Sequence, residues 1–223
     1  MDVQPLSVKH VQQQANWDCG LACVKMVLKS LNKDLDLMPK YIEDIRLYHS
    51  VYTIDLAYIL SKYGFQCTLY TLSCEVDTGH AALPFYKSSF RNDKERIDNL
   101  FIEALQFGIS CIQEHLTIAR VSELLEVGGC LLIALVDWNL MSCTCCHDVM
   151  QTCSSVCSRL CFIFGSYQGH FILVTKINLA NDEVVFHNPS RSSGPCYCSI
   201  QTFDRGRLAR GTDEDLLLVK FSL

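Results

Sequence analysis

The sequence has no long run of lysine or arginine, and its formal net charge is −5 over 223 residues. We therefore expect no basic face for nucleic acid. The longest apolar run, Cys130 to Val136, is too short to span a membrane. No secretory signal, N-terminal Met-Gly or C-terminal prenylation motif is present. These absences predict a cytoplasmic protein, with the nucleus as a second location, that has no membrane span and no nucleic-acid partner.

Hydrophobic residues make up 49% of the chain, which predicts one domain, residues 1–223, with a substantial core. Apolar periodicity predicts helices mainly in the first half and strands mainly in the second half. The predicted fold class is therefore α+β, with N-terminal helices and a C-terminal antiparallel sheet. The predicted helices are 18–31, 37–47, 53–64, 84–106 (one or two helices) and 118–126; the predicted strands are 65–72, 130–136, 170–177, 184–188 and 216–221.

The chain contains 14 cysteines, and eight of them lie between Cys143 and Cys198. In a reducing compartment, metal ligation or free thiols are expected rather than disulfides. Cys143 and Cys146 have the spacing of a zinc knuckle. The alternative is a cysteine-rich insertion at about 139–166 whose cysteines pack as small apolar side chains. Further ligands for a structural zinc ion could come from Cys153, Cys157, Cys161, Cys196 and Cys198.

One cysteine has a different setting, because Asp18-Cys19-Gly20 begins an apolar helical pattern. Asp18 stands where a helix N-cap is expected, which places Cys19 in the first turn. The positive end of the helix dipole lowers a thiol pKa and favours the nucleophilic thiolate. The alternative is a buried structural cysteine.

A cysteine nucleophile needs a base, and the base needs an orienting partner. His170 begins an apolar strand, and Asn188 follows the next strand, across a predicted hairpin. The hairpin can bring these two residues together, so that the Asn188 side-chain oxygen accepts from the imidazole N–H. The alternatives are a packing histidine and an ordinary Asn-Pro turn.

The segment from Gln13 to Cys23, with Gly169-His170-Phe171 and Asn188-Pro189, resembles the bacteriocin-leader-processing peptidases. That resemblance implies a papain-like cysteine peptidase fold. It also implies that Cys19 is the nucleophile, His170 the base and Gln13 a donor to the oxyanion hole. Those peptidases have Asp where this chain has Asn188, whereas papain itself uses Asn.

A longer resemblance covers nearly the whole chain and points to the guanylyl-cyclase-domain-containing proteins of animals and their plant relatives. It is carried by residues 17–23, 53–58, 167–171, 188–189 and 211–215. The family name implies conversion of GTP to cyclic GMP, a reaction that uses Mg²⁺.

Asp213 and Asp215 could hold Mg²⁺ if their stretch is extended, and the alternative is an acidic turn. The sequence has no glycine-rich phosphate loop, since Gly128-Gly129 is an isolated pair. The residues therefore favour a cysteine hydrolase that cleaves a peptide or amide substrate and needs no cofactor. A guanylyl cyclase and a non-catalytic interaction module are the alternatives.

Overall fold

The computed structural model describes residues 6–48, 50–74, 90–143 and 167–221. Within them no helix is long and apolar enough to cross a membrane. The helices are α1 (Cys19–Ser30), α2 (Met38–Asp44), α3 (Thr53–Lys62), α4 (Phe90–Glu103), α5 (Ile118–Glu126) and α6 (Ile200–Arg207). The strands are β1 (Gln66–Thr71), β2 (Ile109–Gln113), β3 (Cys130–Asp137), β4 (Gly169–Asn178), β5 (Glu183–His187), β6 (Cys196–Cys198) and β7 (Leu216–Lys220).

The strands form one seven-stranded sheet in the order β2-β1-β7-β3-β4-β5-β6. The predicted α+β class is confirmed. The predicted division into helices first and an antiparallel sheet second is only partly correct. Strands β1 and β2 from the first half join the sheet and pair in parallel, whereas the other neighbours are antiparallel.

Strand β3 is buried on both faces, which explains its continuous apolar run. Leu131, Ile133 and Leu135 pack into a core with α1, α3 and α4. Leu132 and Ala134 pack into a second core that includes residues of α5 and α6. The sheet therefore lies between two helical layers.

Local capping explains where two of the helices begin. The Thr117 hydroxyl accepts from the Arg120 N–H at the start of α5, and the Ser199 hydroxyl accepts from Thr202 at the start of α6. The α4 segment continues as a 3₁₀ turn and ends at Gly108, whose φ is 72°. The segment therefore ends close to the predicted helix end at residue 106. Most of the predicted insertion at 139–166 lies outside the described residues.

The candidate site residues lie at one edge of the sheet, where β3 and β5 end and where β4 and β7 begin. The Leu135 N–H, near the end of β3, donates to the Asp215 carbonyl just before β7. Val136 pairs with His170 at the start of β4. Helices α1 and α3 begin at the same edge, because Cys19 contacts Phe171 and Thr53 contacts Asp215.

Gly20 allows α1 to pack closely against the sheet at this edge. A Cβ atom at Gly20 would lie 2.9 Å from the Phe171 ring and 3.1 Å from the Leu56 side chain. We expect Gly20→Val to lower the free energy of unfolding by about 2 kcal/mol, because the core would be overpacked. Urea denaturation measures this loss. Lys29→Val, on the exposed side of α1, should cost only about 0.5 kcal/mol through helix propensity; equal losses in both variants would contradict the packing role of Gly20.

Candidate active site

Cys19 is the first residue of α1 and is only 6% exposed. Its sulfur accepts a hydrogen bond from the Phe171 N–H at 3.5 Å. Asp18 occupies the N-cap position, but its side chain does not cap the helix. The Asp18 carboxylate instead accepts from the backbone N–H groups of Gln14 and Ala15, at 3.0 to 3.2 Å. Asp18 therefore shapes the loop that leads into α1.

The sequence-based expectation of a lowered Cys19 pKa is wrong. Burial raises the pKa of the Cys19 thiol, and the nearby Asp18 charge raises it further. The backbone N–H groups of Phe171, Gly20 and Cys19 lower the pKa, but burial outweighs them. Cys19 is therefore a neutral thiol at pH 7.

This raised pKa makes a prediction about alkylation. The rate at which iodoacetamide modifies Cys19 should keep rising with pH beyond 9, because only the thiolate reacts. Mass spectrometry of the Cys19 peptide across pH 5 to 10 measures the profile. A rate plateau between pH 5 and 7 would instead indicate a thiolate held by a protonated histidine.

His170 and Asn188 meet as their positions in the predicted hairpin suggested. Strands β4 and β5 are antiparallel neighbours, and His170 Nε2 lies 2.9 Å from Asn188 Oδ1. The Ser190 N–H also donates to Asn188 Oδ1, at 2.9 Å. A backbone N–H can only donate, which supports the oxygen as the atom facing His170. His170 Nε2 therefore carries a proton, and Nδ1 of the neutral ring is free to accept one.

Burial lowers the pKa of His170 to about 4, although the hydrogen bond with Asn188 acts in the opposite direction. The ring of Trp138 packs edge-on against the imidazole, with the centroids 4.8 Å apart. His170 is thus neutral at pH 7. Within the described residues no hydrogen bond joins the His170 ring to the Cys19 sulfur. The sulfur instead accepts a hydrogen bond from the N–H of Phe171, the residue after His170.

Gln13 is held next to the segment that follows Asn188. Its backbone N–H donates to the Pro189 carbonyl at 2.8 Å. Its Nε2 donates to the Ala15 carbonyl at 2.7 Å, and its Oε1 accepts from the Ser190 hydroxyl at 2.9 Å. One Nε2 proton is used by Ala15, and the second remains for another acceptor.

A histidine pair holds residues 10–13, the N-terminal segment that contains Gln13, against the sheet. His10 Nδ1 lies 3.2 Å from His187 Nδ1, and His10 Nε2 lies 2.8 Å from the Arg191 carbonyl. The carbonyl can only accept, so His10 Nε2 carries a proton. Burial, with a smaller effect of His10, lowers the pKa of His187 to about 4. The N-terminal segment therefore contacts the chain before Asn188, at His187, and after it, at Arg191.

Asp213 and Asp215 do not lie in an extended stretch, and the alternative of an acidic turn is the one observed. Asp213 and Glu214 have φ angles of 49° and 55°, which define a left-handed turn. The Asp215 carboxylate accepts from the Thr53 hydroxyl, and a bond from Thr71 also stabilises its charge. Burial nevertheless raises the pKa of Asp215 to about 7. The Asp215 carboxyl is therefore already engaged by α3 and β1, and its role in binding Mg²⁺ stays a prediction.

The predicted zinc site lies only partly within the described residues. Cys143, Cys196 and Cys198 are buried in the core that contains α6. The remaining candidates, Cys146, Cys153, Cys157 and Cys161, lie outside the described residues. Among the residues that are described, no group of three His, Cys, Asp or Glu side chains could hold a metal ion. Zinc stays a prediction, which metal analysis of the purified protein tests.

The sequence analysis missed two neighbours of the site. Ser190 contacts Gln13, Asn188 and His170, and Trp138 packs against His170. Ser190 directly follows Asn188-Pro189, so the sequence alone could have indicated that it lies near the candidate residue Asn188. Trp138 comes just after β3, and only the pairing of β3 with β4 places it near His170.

Fold and site together define an α+β protein with a buried cysteine, histidine and asparagine at one edge of a mixed sheet. A family model described as guanylylate cyclase matches residues 8–219. The chain is also 32% identical over 214 residues to "Guanylyl cyclase 1" of Arabidopsis thaliana, covering 96% of this chain and 76% of that protein. The chain belongs to this guanylylate cyclase family, which confirms the longer resemblance found in the sequence.

Proposed function

We propose that the chain is a cysteine-dependent hydrolase of peptide or amide bonds on a papain-like fold. Cys19 is the nucleophile, His170 the base, Asn188 the orienting residue and Gln13 an oxyanion donor. The observation that carries the proposal is the 2.9 Å contact between His170 and Asn188. This contact leaves His170 Nδ1 as the proton acceptor. In addition, the Cys19 sulfur accepts from the N–H of Phe171, the residue next to His170.

The neutral thiol and neutral imidazole determine the order of events. The Cys19 sulfur attacks the substrate carbonyl carbon while the thiol proton moves to His170 Nδ1. The carbonyl oxygen gains negative charge and accepts from the Cys19 N–H, which lies at the start of a helix, and from Gln13 Nε2. His170 then protonates the departing amine, and water hydrolyses the thioester to release the acid and restore the thiol.

The missing hydrogen bond between Cys19 and His170 requires a side-chain adjustment when substrate binds. Catalytic hydrogen bonds in free enzymes are often long and shorten in the substrate complex. Rotation about χ1 of Cys19 would exchange the Phe171 N–H for the imidazole as the partner of the thiol.

The experiment uses p-nitrophenyl acetate, an activated ester that needs no recognition of peptide side chains. We expect a burst of p-nitrophenolate and one acetyl group on Cys19, located by mass spectrometry. Cys19→Ala should remove both signals. Cys23→Ala is the matched control, since Cys23 is a fully buried cysteine one turn further along α1. Equal acetylation of several cysteines, with no burst, would contradict the proposal.

Guanylyl cyclase activity is the second candidate, and the family description and the relative's name support it better than they support a hydrolase. This function predicts cyclic GMP formation from GTP that requires Mg²⁺. Asp213 and Glu214 lie in a left-handed turn, and the Asp215 carboxylate accepts from Thr53. A protein with neither activity would be an interaction module on the same fold.

A further inference from the structure

Ser190 contacts three of the four residues of the proposed site, two through its hydroxyl and one through its backbone N–H. Its hydroxyl lies 2.9 Å from Gln13 Oε1 and 3.5 Å from His170 Nε2, and its backbone N–H lies 2.9 Å from Asn188 Oδ1. We propose that Ser190 is a positioning residue whose hydroxyl orients the Gln13 carboxamide and whose backbone N–H holds Asn188 Oδ1. This inference rests on the proposed cysteine chemistry.

The hydrogen-bond directions around Ser190 agree with each other. Gln13 Oε1 can only accept, so the Ser190 hydroxyl donates its proton there. The Ser190 hydroxyl oxygen can then accept weakly from the proton on His170 Nε2. The main acceptor of that proton is Asn188 Oδ1. Each of these hydrogen bonds therefore has one donor and one acceptor.

The result for Gln13 is a carboxamide fixed at both ends. Its Oε1 is held by Ser190, and one Nε2 proton is held by the Ala15 carbonyl. With these two contacts fixed, the second Nε2 proton has a single direction. An oxyanion donor must be oriented before charge develops on the substrate, because reorientation during the reaction raises the barrier.

The result for Asn188 is a fixed position of Oδ1. The Ser190 N–H and His170 Nε2 share this oxygen, each at 2.9 Å. The Gln13 N–H also donates to the Pro189 carbonyl, so residues 189 and 190 are both bonded to Gln13. Ser190 therefore links the base and its orienting residue to the oxyanion donor.

The test compares Ser190→Ala, Ser190→Thr and Ser193→Ala by acetylation of Cys19 with p-nitrophenyl acetate. Ser190→Ala should lower the maximal rate about 10-fold and leave the half-saturating ester concentration unchanged, because orientation and not binding is lost. Ser190→Thr keeps the hydroxyl and should restore most of the rate. Ser193 is an exposed serine three residues further on, and its alanine variant should match the wild type.

A second readout does not depend on activity. The Gln13 side-chain NH₂ signals in ¹⁵N NMR spectra should move toward those of a free glutamine in Ser190→Ala and stay in place in Ser190→Thr. An Ser190→Ala variant with the wild-type acetylation rate would overturn the role of Ser190. If even the wild type shows no acetylation of Cys19, the proposed function fails. The NMR signals then decide for Ser190 alone, and unmoved Gln13 signals in Ser190→Ala overturn its positioning role.

Discussion

His170→Ala should slow acetylation of Cys19 by about 100-fold or more, the usual contribution of a general base. The reason lies in the two neutral groups at the site. Burial raises the pKa of Cys19, so hardly any thiolate exists at pH 7, and attack needs an acceptor for the thiol proton. His170 Nδ1 is that acceptor, because Nε2 carries the proton bonded to Asn188.

The rate should be measured at pH 7 and at pH 10. At the higher pH hydroxide removes the thiol proton, so the difference between wild type and His170→Ala should shrink. His115→Ala is the matched control, since His115 is an exposed histidine bonded to Glu214. A His170→Ala rate within a factor of two of the wild type at pH 7 would remove His170 from the reaction.

Arg96→Met should cause the largest loss of stability among the substitutions considered. Asp55 is fully buried on α3, and the Arg96 guanidinium on α4 forms its ion pair. Arg96 also donates to the carbonyls of Ile45 and Ser50, so it joins three segments. Removing one partner of a buried pair leaves an uncompensated charge, and we expect the free energy of unfolding to fall by about 3–5 kcal/mol.

Lys94→Met is the matched control on the same helix. Lys94 pairs with Asp98 at the surface, an arrangement worth about 0.5 kcal/mol or less. Burial raises the pKa of Asp55, so without Arg96 its carboxyl should take up a proton as the pH falls. The loss in Arg96→Met should therefore be larger at pH 7 than at pH 5. Equal losses in both variants, by urea denaturation, would show that the buried pair does not stabilise the packing of α3 against α4.

Much of the sheet could be predicted because its strands carry strong local signals. The apolar runs of β3 and β4 and the turn at residues 178–183 set the β4–β5 hairpin, which brought His170 to Asn188. Strands β2 and β6 were missed. Strand β2 exposes most of its residues, and β6 has three residues, so neither has a pattern that distinguishes it from a loop.

The electrostatics of the site could not be predicted from sequence. Position at a helix start suggested a reactive thiolate, but the pKa of Cys19 depends on how completely the protein excludes water from the sulfur. Similarly, Asp215 belongs to an acidic cluster in the sequence. In the fold its carboxyl accepts a hydrogen bond from Thr53, a residue 162 positions away, and burial of the carboxyl raises its pKa to about 7. Tertiary burial decided both cases.

The most direct test of the account is the amount of cyclic GMP formed from GTP and Mg²⁺ by the wild-type protein and by Cys19→Ser, quantified by mass spectrometry. The proposed chemistry takes place at Cys19, and the Asp215 carboxylate is already engaged by Thr53. We therefore predict no cyclic GMP above the buffer blank from either protein. Magnesium-dependent cyclic GMP formation at equal rates in the wild type and in Cys19→Ser would contradict it and establish the cyclase.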